Sequence, residues 1–377
     1  MRIIYFSKNY TPHDYRFLSS LSKTKHEVFF LQLEATNRQT EDRPVPKNVQ
    51  QILWAGGQRE FRWRDVPRLT FDLRRLTKEI KPDLIHAGPI QNCAFLAALS
   101  GFRPILAMSW GYDLVTEAES SWWMRQVTYY VLRNSAFFTS DANITREKAI
   151  AFGMNPEKTV IFPWGVDLKL FAPKTKLHPE RSRRNSPRST KQSTRNTLTL
   201  FCSRTWESIY GVDVLAKAFV KVAASHPNVN LILLGGGSQG AHIRQILMKG
   251  GALDRVHFGG QVRQNDLPRW YHMADIYISP SHVDGSSVSL MEALACGLPC
   301  LVSDIAGNKE WIENGVNGWL FRDGDADDLA GKILSAIKIR RSFKKIGEAA
   351  RKTAEKKADW KKNFGKLLEA YEKATSR

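Results

Sequence analysis

Short apolar segments alternate with segments of helical periodicity along nearly the whole chain, and this alternation limits the possible folds more than any other feature. Twelve apolar segments are typical of buried strands: residues 2–7, 27–33, 83–87, 104–108, 136–140, 159–163, 198–203, 229–235, 255–259, 275–279, 299–303 and 318–321. Strands that alternate with helices favour parallel sheets covered on both faces. Because 377 residues exceed one ordinary core, we predict two doubly wound, Rossmann-like α/β domains.

Residues 279–299 contain the most informative motif. Asp284 opens a turn of small residues, and Glu292 follows eight positions later in an apolar helix. Ser286 and Ser287 are good helix-starting residues, and a helix start there presents free N–H groups and the positive end of its dipole to an anion. Gly285 lets a ligand approach the backbone closely. Since eight residues make about two turns, Glu292 lies on the side of the helix start. The motif suits a nucleoside diphosphate with its ribose.

This motif resembles the E-x7-E signature of the family 4 (group 1) retaining glycosyltransferases, which have the two-domain GT-B fold. Residues 161–167 resemble the interdomain strand of that family, and 203–204 with 211–215 resemble the first strand and helix of its donor domain. Later landmarks are matched at 234–237, 258–261 and 314–321. The resemblance is strong over residues 160–355 and weaker over the first 150.

The resemblance also implies the domain boundaries. We place an N-terminal, acceptor-side domain at residues 1–168 and a nucleotide-sugar-binding domain at 198–357, so that the two domains face a cleft. The basic segment 169–197 is predicted to be a partly disordered linker, since it is polar and low in complexity. Residues 358–377 are expected to form a helix that crosses back to the first domain, as in GT-B enzymes.

Roles for individual residues follow from the resemblance. Glu292 is expected to accept ribose hydroxyl groups, and Arg204 to meet the diphosphate as a permanent cation. Asp284, one methylene shorter than the usual glutamate, would face the donor sugar, although an Asp-Gly turn also explains it. Tyr210 stands where the family usually has a lysine. The predicted donor-binding residues are Glu292, Gly285, Ser286, Ser287, Val288, Gly235, Gly260 and Tyr210, and the predicted catalytic residues are Arg204, Asp284 and Asp113.

The first domain departs further from the family pattern. Many relatives have a Gly-Gly loop after the first strand and a His-Gly pair near residue 110, but this chain has neither. His13, Asp14, His86 and Trp110 are therefore candidates, with Asp113, for contacting donor sugar or acceptor hydroxyls. A helix cap or a satisfied turn is the alternative explanation for each polar residue of this set.

We expect no metal and no cofactor, the nucleotide sugar being a co-substrate. Asp323 and Asp325 form a D-x-D pattern, but helix capping explains it better, and GT-B families generally bind donor phosphates without a metal. The four cysteines lie in apolar surroundings and are predicted to be buried, reduced thiols.

Basic residues are concentrated in three regions of a chain whose formal net charge is +19. Residues 174–196 and 338–362 carry net charges of +7 and +8, and residues 59–75 interleave arginines with Phe61 and Trp63. Such regions suit an anionic membrane surface, with Trp122 and Trp123 as added apolar anchors. The alternatives are a solvated face with core tryptophans, or nucleic acid, which we favour less than a membrane.

No apolar run approaches the length that spans a bilayer, and the first residues read as a strand rather than a signal peptide, so we expect a cytoplasmic, peripheral membrane protein. The sequence thus predicts a glycosyltransferase that moves a sugar, with retention, from a nucleotide-diphosphate sugar to a lipid-linked or polysaccharide acceptor in cell-envelope glycan biosynthesis. A sugar-nucleotide epimerase, a phosphorylase and a non-catalytic nucleotide-sugar-binding protein remain alternatives.

Overall fold

The chain folds into two compact units. The computed structural model describes residues 1–35, 41–174 and 197–376. Unit 1 comprises Met1–Trp164 and Lys361–Arg377, and unit 2 comprises Gly165–Trp360. Most of the predicted linker, residues 175–196, lies outside the described residues.

Unit 1 is built on a seven-stranded, all-parallel sheet in the order β3-β2-β1-β4-β5-β6-β7. Its strands are β1 Arg2–Ser7, β2 Glu27–Gln32, β3 Val49–Gln51, β4 Leu84–Gly88, β5 Ile105–Met108, β6 Phe137–Ser140 and β7 Thr159–Ile161. Its helices are α1 Pro12–Leu21, α2 Val66–Ile80, α3 Phe95–Leu99, α4 Tyr112–Val115, α5 Trp122–Arg133, α6 Asn143–Ala151 and the C-terminal α14 Trp360–Thr375, whose first residue is assigned to unit 2.

Unit 2 is built on a six-stranded, all-parallel sheet in the order β10-β9-β8-β11-β12-β13. Its strands are β8 Leu198–Cys202, β9 Val229–Leu234, β10 Val256–Gly260, β11 Ile276–Ser279, β12 Cys300–Ser303 and β13 Gly318–Phe321. Its helices are α7 Val212–Ser225, α8 Gly240–Lys249, α9 Leu267–Tyr271, α10 Val288–Ala295, α11 Ala306–Lys309, α12 Ala326–Lys338 and α13 Phe343–Lys357.

The central strands are mostly apolar because helices cover both faces of each sheet. In β1, Ile3, Ile4, Tyr5 and Phe6 are all fully buried, as expected for a parallel strand in the middle of a doubly wound sheet. All twelve predicted strands are present, and the predicted fold class of two Rossmann-like domains is confirmed. The edge strand β3 was not predicted.

Each sheet reverses its strand order once. In unit 2 the chain runs outward through β9 and β10 and then returns to the other side of β8 with β11. The loops that leave the carboxyl ends of β8 and β11 therefore diverge and open a crevice, which is where ligands bind in open α/β sheets. Arg204 follows β8, and Asp284 follows β11.

The segment predicted to begin the linker belongs to unit 2. Phe171 is buried in the core of this unit, and its carbonyl oxygen accepts a hydrogen bond of 2.8 Å from Nη1 of Arg351 in α13. The carbonyl oxygen of Leu168 accepts from Nη2 of the same guanidinium at 3.3 Å. Residues 165–174 are thus held by packing and hydrogen bonds, which corrects the boundary at 168.

All four cysteines are buried and unpaired, as predicted. Over the described ranges 1–35, 41–174 and 197–376, no helix is both long enough and apolar enough to cross a membrane.

Candidate functional site

The strand-order reversal of unit 2 brings together the two charged residues predicted from distant parts of the sequence. Nη2 of Arg204 lies 2.7 Å from Oδ2 of Asp284, and both side chains are largely buried. Burial alone would lower the pKa of the guanidinium, but the charge of Asp284 opposes this effect, and the net pKa lies above its ordinary value. Arg204 is therefore a permanent cation at the crevice.

Further contacts fix the plane of this guanidinium. Nη1 of Arg204 donates to Oγ of Ser287 at 2.8 Å and to Oγ of Ser289 at 3.2 Å. The ring of Tyr210 faces the guanidinium, with 4.2 Å from its centroid to Cζ, which is a cation–π contact. Tyr210, at the position of the family lysine, thus supports the existing cation and adds no second one. Nε of Arg204 is buried and has no acceptor among the described residues. A buried donor of this kind is suited to an anionic oxygen.

Glu292 lies deeper on α10 and is buried. Its Oε2 accepts a hydrogen bond of 2.8 Å from the hydroxyl of Tyr271, and its Oε1 accepts one of 2.7 Å from Nε2 of Gln264. Burial and the neighbouring charge of Glu292 raise the pKa of Tyr271, which therefore stays a donor at neutral pH. The Tyr271 hydroxyl also lies 3.1 Å from the carbonyl oxygen of Ser289. A continuous series of polar contacts thus connects Arg204 to Glu292.

Side-chain hydrogen bonds and close backbone packing hold the turn before α10. Ser287 is the N-cap of this helix and accepts from the backbone N–H of Leu290 at 3.4 Å, and Oγ of Ser286 accepts from the indole N–H of Trp311 at 3.1 Å. A Cβ on Gly307 would lie 2.1 Å from the carbonyl oxygen of Gly285, so only glycine allows α11 this close. The helix therefore begins at Val288 with its N-terminal turn fixed.

The two predicted glycines lie side by side on the other edge of the crevice. Gly235 follows β9 with φ of +87°, and its N–H donates to the carbonyl oxygen of Gly260, which ends β10, at 2.7 Å. A Cβ on Gly235 would lie 3.3 Å from the carbonyl oxygen of Arg204. The structure thus groups all the donor-side candidates of unit 2 around the loop at Arg204.

Asp113 of unit 1 organises the loop that follows β5. Its Oδ1 accepts from the Ser109 hydroxyl at 2.6 Å and from the Trp110 N–H at 3.0 Å, while Oδ2 accepts from the Ile90 N–H at 3.0 Å. Burial raises its pKa to about 6, although these hydrogen bonds act in the opposite direction. Asp113 therefore holds Trp110 in place, and direct contact with a sugar stays a prediction.

Asp14 and His86 occupy core positions. Asp14 is the third residue of α1 and forms a capping box with Thr11, whose backbone N–H donates to Oδ2 at 2.8 Å. His86 is fully buried, with Nδ1 2.8 Å from the Tyr371 hydroxyl and Nε2 3.2 Å from Sδ of Met108. Burial lowers the pKa of His86 to about 3, so the ring is neutral. Capping accounts for Asp14 and packing for His86, and contact of either residue with a sugar stays a prediction.

His13 and Trp110 are the two half-buried candidates of unit 1. Their ring centroids are 5.5 Å apart, and Trp110 also contacts Trp164 at 5.9 Å. The start of α1 and the loop after β5 are thus joined by an aromatic contact, and a role of either residue in binding sugar stays a prediction.

The aspartates of the D-x-D pattern have structural partners. Oδ1 of Asp325 caps α12 by accepting from the N–H groups of Asp327 and Asp328, both at 2.9 Å. Oδ1 of Asp323 lies 2.7 Å from Nδ1 of His282. No group of three or more His, Cys, Asp or Glu side chains in the described part of the chain is arranged to hold a metal ion.

Sequence reasoning missed Tyr271, Gln264 and Gly307. Tyr271 ends an apolar helix, where it resembles any core aromatic residue, and Gln264 lies in a polar loop. Gly307 follows β12 without a turn motif. These residues act through contacts between distant segments, for which the local sequence gives no signal.

Two family models match the chain. The model described as Glycosyl transferases group 1 matches residues 182–353, and the model described as Glycosyl transferase 4-like matches residues 2–142. The first match contains Arg204, Asp284 and Glu292, and the second contains the unit 1 candidates.

Curated relatives match most of the chain at low identity. Spore coat protein SA of Bacillus subtilis is 27% identical over 270 residues, which cover 70% of this chain and 69% of that protein. The GDP-mannose-dependent alpha-(1-6)-phosphatidylinositol monomannoside mannosyltransferase of Mycobacterium tuberculosis is 25% identical over 319 residues, covering 80% of this chain and 79% of that protein.

Solved structures share the fold over nearly the whole chain. The sucrose-phosphate synthase of Thermosynechococcus elongatus superposes with a TM-score of 0.78 at 18% identity, covering 99% of this chain and 98% of that one. Anabaena HepE in complex with UDP-glucose superposes with a TM-score of 0.77 at 18% identity, covering 99% of both chains. At this identity the likeness concerns the fold alone.

Proposed function

The chain belongs to the group 1 glycosyltransferases of the GT-B fold, and we propose that it moves a sugar, with retention, from a nucleoside diphosphate sugar to a lipid-linked or polysaccharide acceptor in cell-envelope glycan synthesis. It is an enzyme that transfers a sugar from a nucleotide sugar. The epimerase and non-catalytic alternatives are not favoured, since both matching family models are those of transferases.

One observation carries the proposal for the donor site. The guanidinium of Arg204, the start of α10 and the carboxylate of Glu292 form a continuous polar series at the strand-order reversal of unit 2. A cation with an unused buried donor and a helix N-terminus suit a diphosphate, and a carboxylate deeper on the same helix suits the ribose hydroxyls. Asp284 would accept from the donor sugar.

The proposed chemistry rests on stabilising the leaving group. As the bond between the anomeric carbon and the phosphate oxygen breaks, negative charge grows on the diphosphate, where Arg204 and the N–H groups at 286–288 would stabilise it. We assign Asp284, which is paired with Arg204, to the hydroxyl groups of the donor sugar and not to nucleophilic attack. We therefore propose that the acceptor hydroxyl attacks from the face that the diphosphate leaves, passes its proton to the departing phosphate oxygen and so retains the anomeric configuration.

The relatives support a nucleotide sugar without selecting its base. The mycobacterial relative is named as GDP-mannose-dependent, whereas the Anabaena structures contain UDP or UDP-glucose. The name of the mycobacterial relative also describes a phosphatidylinositol-based acceptor, which supports a lipid-linked acceptor here. We propose that transfer takes place at the inner face of the membrane and requires no metal, since Arg204 can supply the positive charge and Asp325 is engaged in capping.

The first experiment is a stabilisation screen with UDP, GDP, ADP and their sugars. We expect one nucleoside diphosphate to raise the Tm in proportion to its affinity. The matching sugar nucleotide is then incubated with membrane lipid extract, and the anomeric configuration of the product is determined by NMR. Donor turnover without acceptor would contradict transfer, and an inverted product would contradict retention.

A further inference from the structure

The exposed aromatic side chains of the described residues all belong to unit 1. Among them, Trp122 is 72% exposed, Trp123 is 49% exposed and Trp63 is 37% exposed. The others are Phe71, Tyr112 and Tyr130. Indole rings that remain in water reduce the solubility of a monomer, and tryptophan is enriched where a protein meets a membrane–water interface. Unit 1 is therefore the part of the described chain to search for a docking surface.

Two of these rings are in contact although their residues are about sixty positions apart, and Trp122 is next to one of them in the chain. The ring of Trp63, in a short 3-10 helix over Trp63–Asp65, lies 6.0 Å from the ring of Trp123 at the start of α5. Trp63 also packs at 5.8 Å on Phe95, which anchors it to the core. Trp122 follows the N-cap Ser121 and is the most exposed of the set.

Arginines lie one or two positions from these tryptophans in the sequence. Arg62, Arg64 and Arg125 are exposed, and none of them forms an ion pair or a side-chain hydrogen bond with another described residue. The guanidinium of Arg125 lies 5.9 Å from the centre of the Phe152 ring. We call Arg62, Trp63, Arg64, Trp122, Trp123 and Arg125 the aromatic–basic surface. It contains no acidic residue.

Neighbouring arginines differ in this respect. Arg59 is paired with Asp65 at 2.7 Å, and Arg74 donates to the carbonyl oxygens of Leu99 and Ser100. Arg75 bridges two acidic residues of its own helix. Arg62 and Arg64, next to Trp63, thus keep their charge unpaired among the described residues, whereas these three arginines do not.

The other described basic region lacks this combination. In 338–362, Arg351 holds backbone carbonyl oxygens, Arg340 is paired with Asp275, and Lys357 donates to the Glu310 carbonyl oxygen. No aromatic side chain of this region is exposed. It offers charge without an apolar element that could enter a bilayer.

We propose that the aromatic–basic surface docks on an anionic lipid bilayer, with the indoles of Trp122 and Trp123 at the boundary between headgroups and acyl chains and the three arginines against lipid phosphates. This inference rests on the proposed function for the location of the acceptor, but it concerns a different part of the molecule. Arginines beside tryptophans match both the charge and the polarity gradient of such an interface. Self-association through the same face would bring like charges together across a two-fold axis, which opposes a dimer.

The test uses the full chain and vesicles of phosphatidylcholine with or without 30% phosphatidylglycerol (roughly a cytoplasmic-leaflet charge). Wild type should co-sediment with the anionic vesicles and come off as salt rises, because the Debye length falls from about 10 Å at 0.1 M to about 3 Å at 1 M. The double variant Trp122→Ala/Trp123→Ala should lose about tenfold or more in partitioning. Arg62→Gln/Arg64→Gln should lose about tenfold at low salt and little at high salt.

The matched control is Met248→Ala/Lys249→Gln, which removes an exposed apolar side chain and an exposed charge from α8 of unit 2. This variant should bind vesicles as wild type does. Because all substituted side chains are exposed, the Tm of every variant should stay close to that of wild type, which shows that each is folded.

Nucleotide stabilisation is measured in parallel to separate the two proposals. Vesicle binding that survives in the tryptophan variant, or falls equally in the control, would overturn the docking surface while leaving the donor site intact. Concentration-dependent dimerisation that the tryptophan variant abolishes would identify a second copy as the occupant and overturn the lipid assignment. Binding of duplex DNA without preference for anionic vesicles would also overturn the lipid assignment. Loss of nucleotide stabilisation in wild type would contradict the proposed function alone.

Discussion

Glu292→Gln tests the donor site most directly, because it changes a charge while keeping nearly the same shape. In the structure the carboxylate accepts hydrogen bonds from the hydroxyl of Tyr271 at 2.8 Å and from Nε2 of Gln264 at 2.7 Å. A glutamine amide has one acceptor oxygen, so its NH2 group must face one of these donors. The substitution thus removes a charge and one of the two acceptor oxygens, and the Tyr271 hydroxyl can still donate to the carbonyl oxygen of Ser289 at 3.1 Å.

The size of the effect follows from these contacts. Hydrogen bonds to a charged group contribute about 1.5–3 kcal/mol each. Since one such bond is lost, we expect the free energy of unfolding to fall by about 1.5–3 kcal/mol. If ribose hydroxyls bind this carboxylate, the loss of one charge-assisted bond should raise the Kd for the nucleoside diphosphate about 10- to 150-fold.

Isothermal titration with the nucleotide selected by the stabilisation screen measures this Kd, and chemical denaturation measures stability. Tyr271→Phe is the matched control, because it removes one donor to Glu292 but keeps the carboxylate. It should lower the free energy of unfolding by about 1–3 kcal/mol. Its effect on the Kd should be much smaller than that of Glu292→Gln. The control therefore separates the loss of an internal hydrogen bond to Glu292 from the loss of the carboxylate that would accept the ribose hydroxyls.

A folded Glu292→Gln variant with wild-type Kd and wild-type kcat would refute the assignment. Equal weakening of nucleotide binding by Tyr271→Phe would refute the argument in another way, since the carboxylate would then act only by holding the core of the crevice together.

Three further predictions concern the leaving group, the core and metal ions. Arg204→Lys should lower kcat at saturating donor about 100- to 1,000-fold with a smaller change in donor Kd, because charge on the leaving group grows toward the transition state; an unchanged kcat would exclude the role. The free energy of unfolding of wild type should fall as pH decreases below 6.5, by about 2 kcal/mol at pH 5, because unfolded His86 binds a proton that the folded ring, with a pKa of about 3, does not. His86→Gln should lack this component in denaturation curves, and an identical pH dependence would contradict a neutral core histidine. EDTA should leave the rate of transfer unchanged in a radiolabel assay, and inhibition reversed by a divalent cation would contradict metal independence.

Apolar periodicity was sufficient to predict the fold. Most of the predicted strands are short runs of buried residues, and such an apolar run can be recognised without knowledge of distant contacts. The strand that escaped prediction, Val49–Gln51, has three residues, and Gln50 and Gln51 are exposed at the sheet edge. A strand of this kind has no apolar signal, because only its pairing with β2 defines it.

Prediction of the site was less complete, for a physical reason. Asp14 and Asp113 each follow a buried strand, as ligand-binding residues do in such folds, yet both are buried and satisfied by nearby donors. The sequence shows that a carboxylate lies beyond a strand end. It does not show whether that carboxylate accepts hydrogen bonds from nearby groups of the protein or is left to bind a ligand. The partners of Glu292 were missed because Tyr271 and Gln264 meet it only after α9 and α10 have packed.

The pairing of Arg204 with Asp284 bears on how this chain would use an aspartate at the first position of its signature. Asp284 and a diphosphate are both anions, and both would bind the same guanidinium, whose Nη1 is already held by Ser287 and Ser289. Donor binding as proposed would therefore satisfy the buried Nε and weaken the contact to Asp284, which frees that carboxylate to accept from a sugar hydroxyl. Tyr210 would keep the guanidinium plane fixed during the exchange, because its ring contacts the face and not the N–H edge. Oδ2 of Asp284 lies 2.7 Å from Nη2 of Arg204 but has no hydrogen-bond partner among the described residues, so such an exchange would weaken an ion pair without breaking a hydrogen bond to this oxygen.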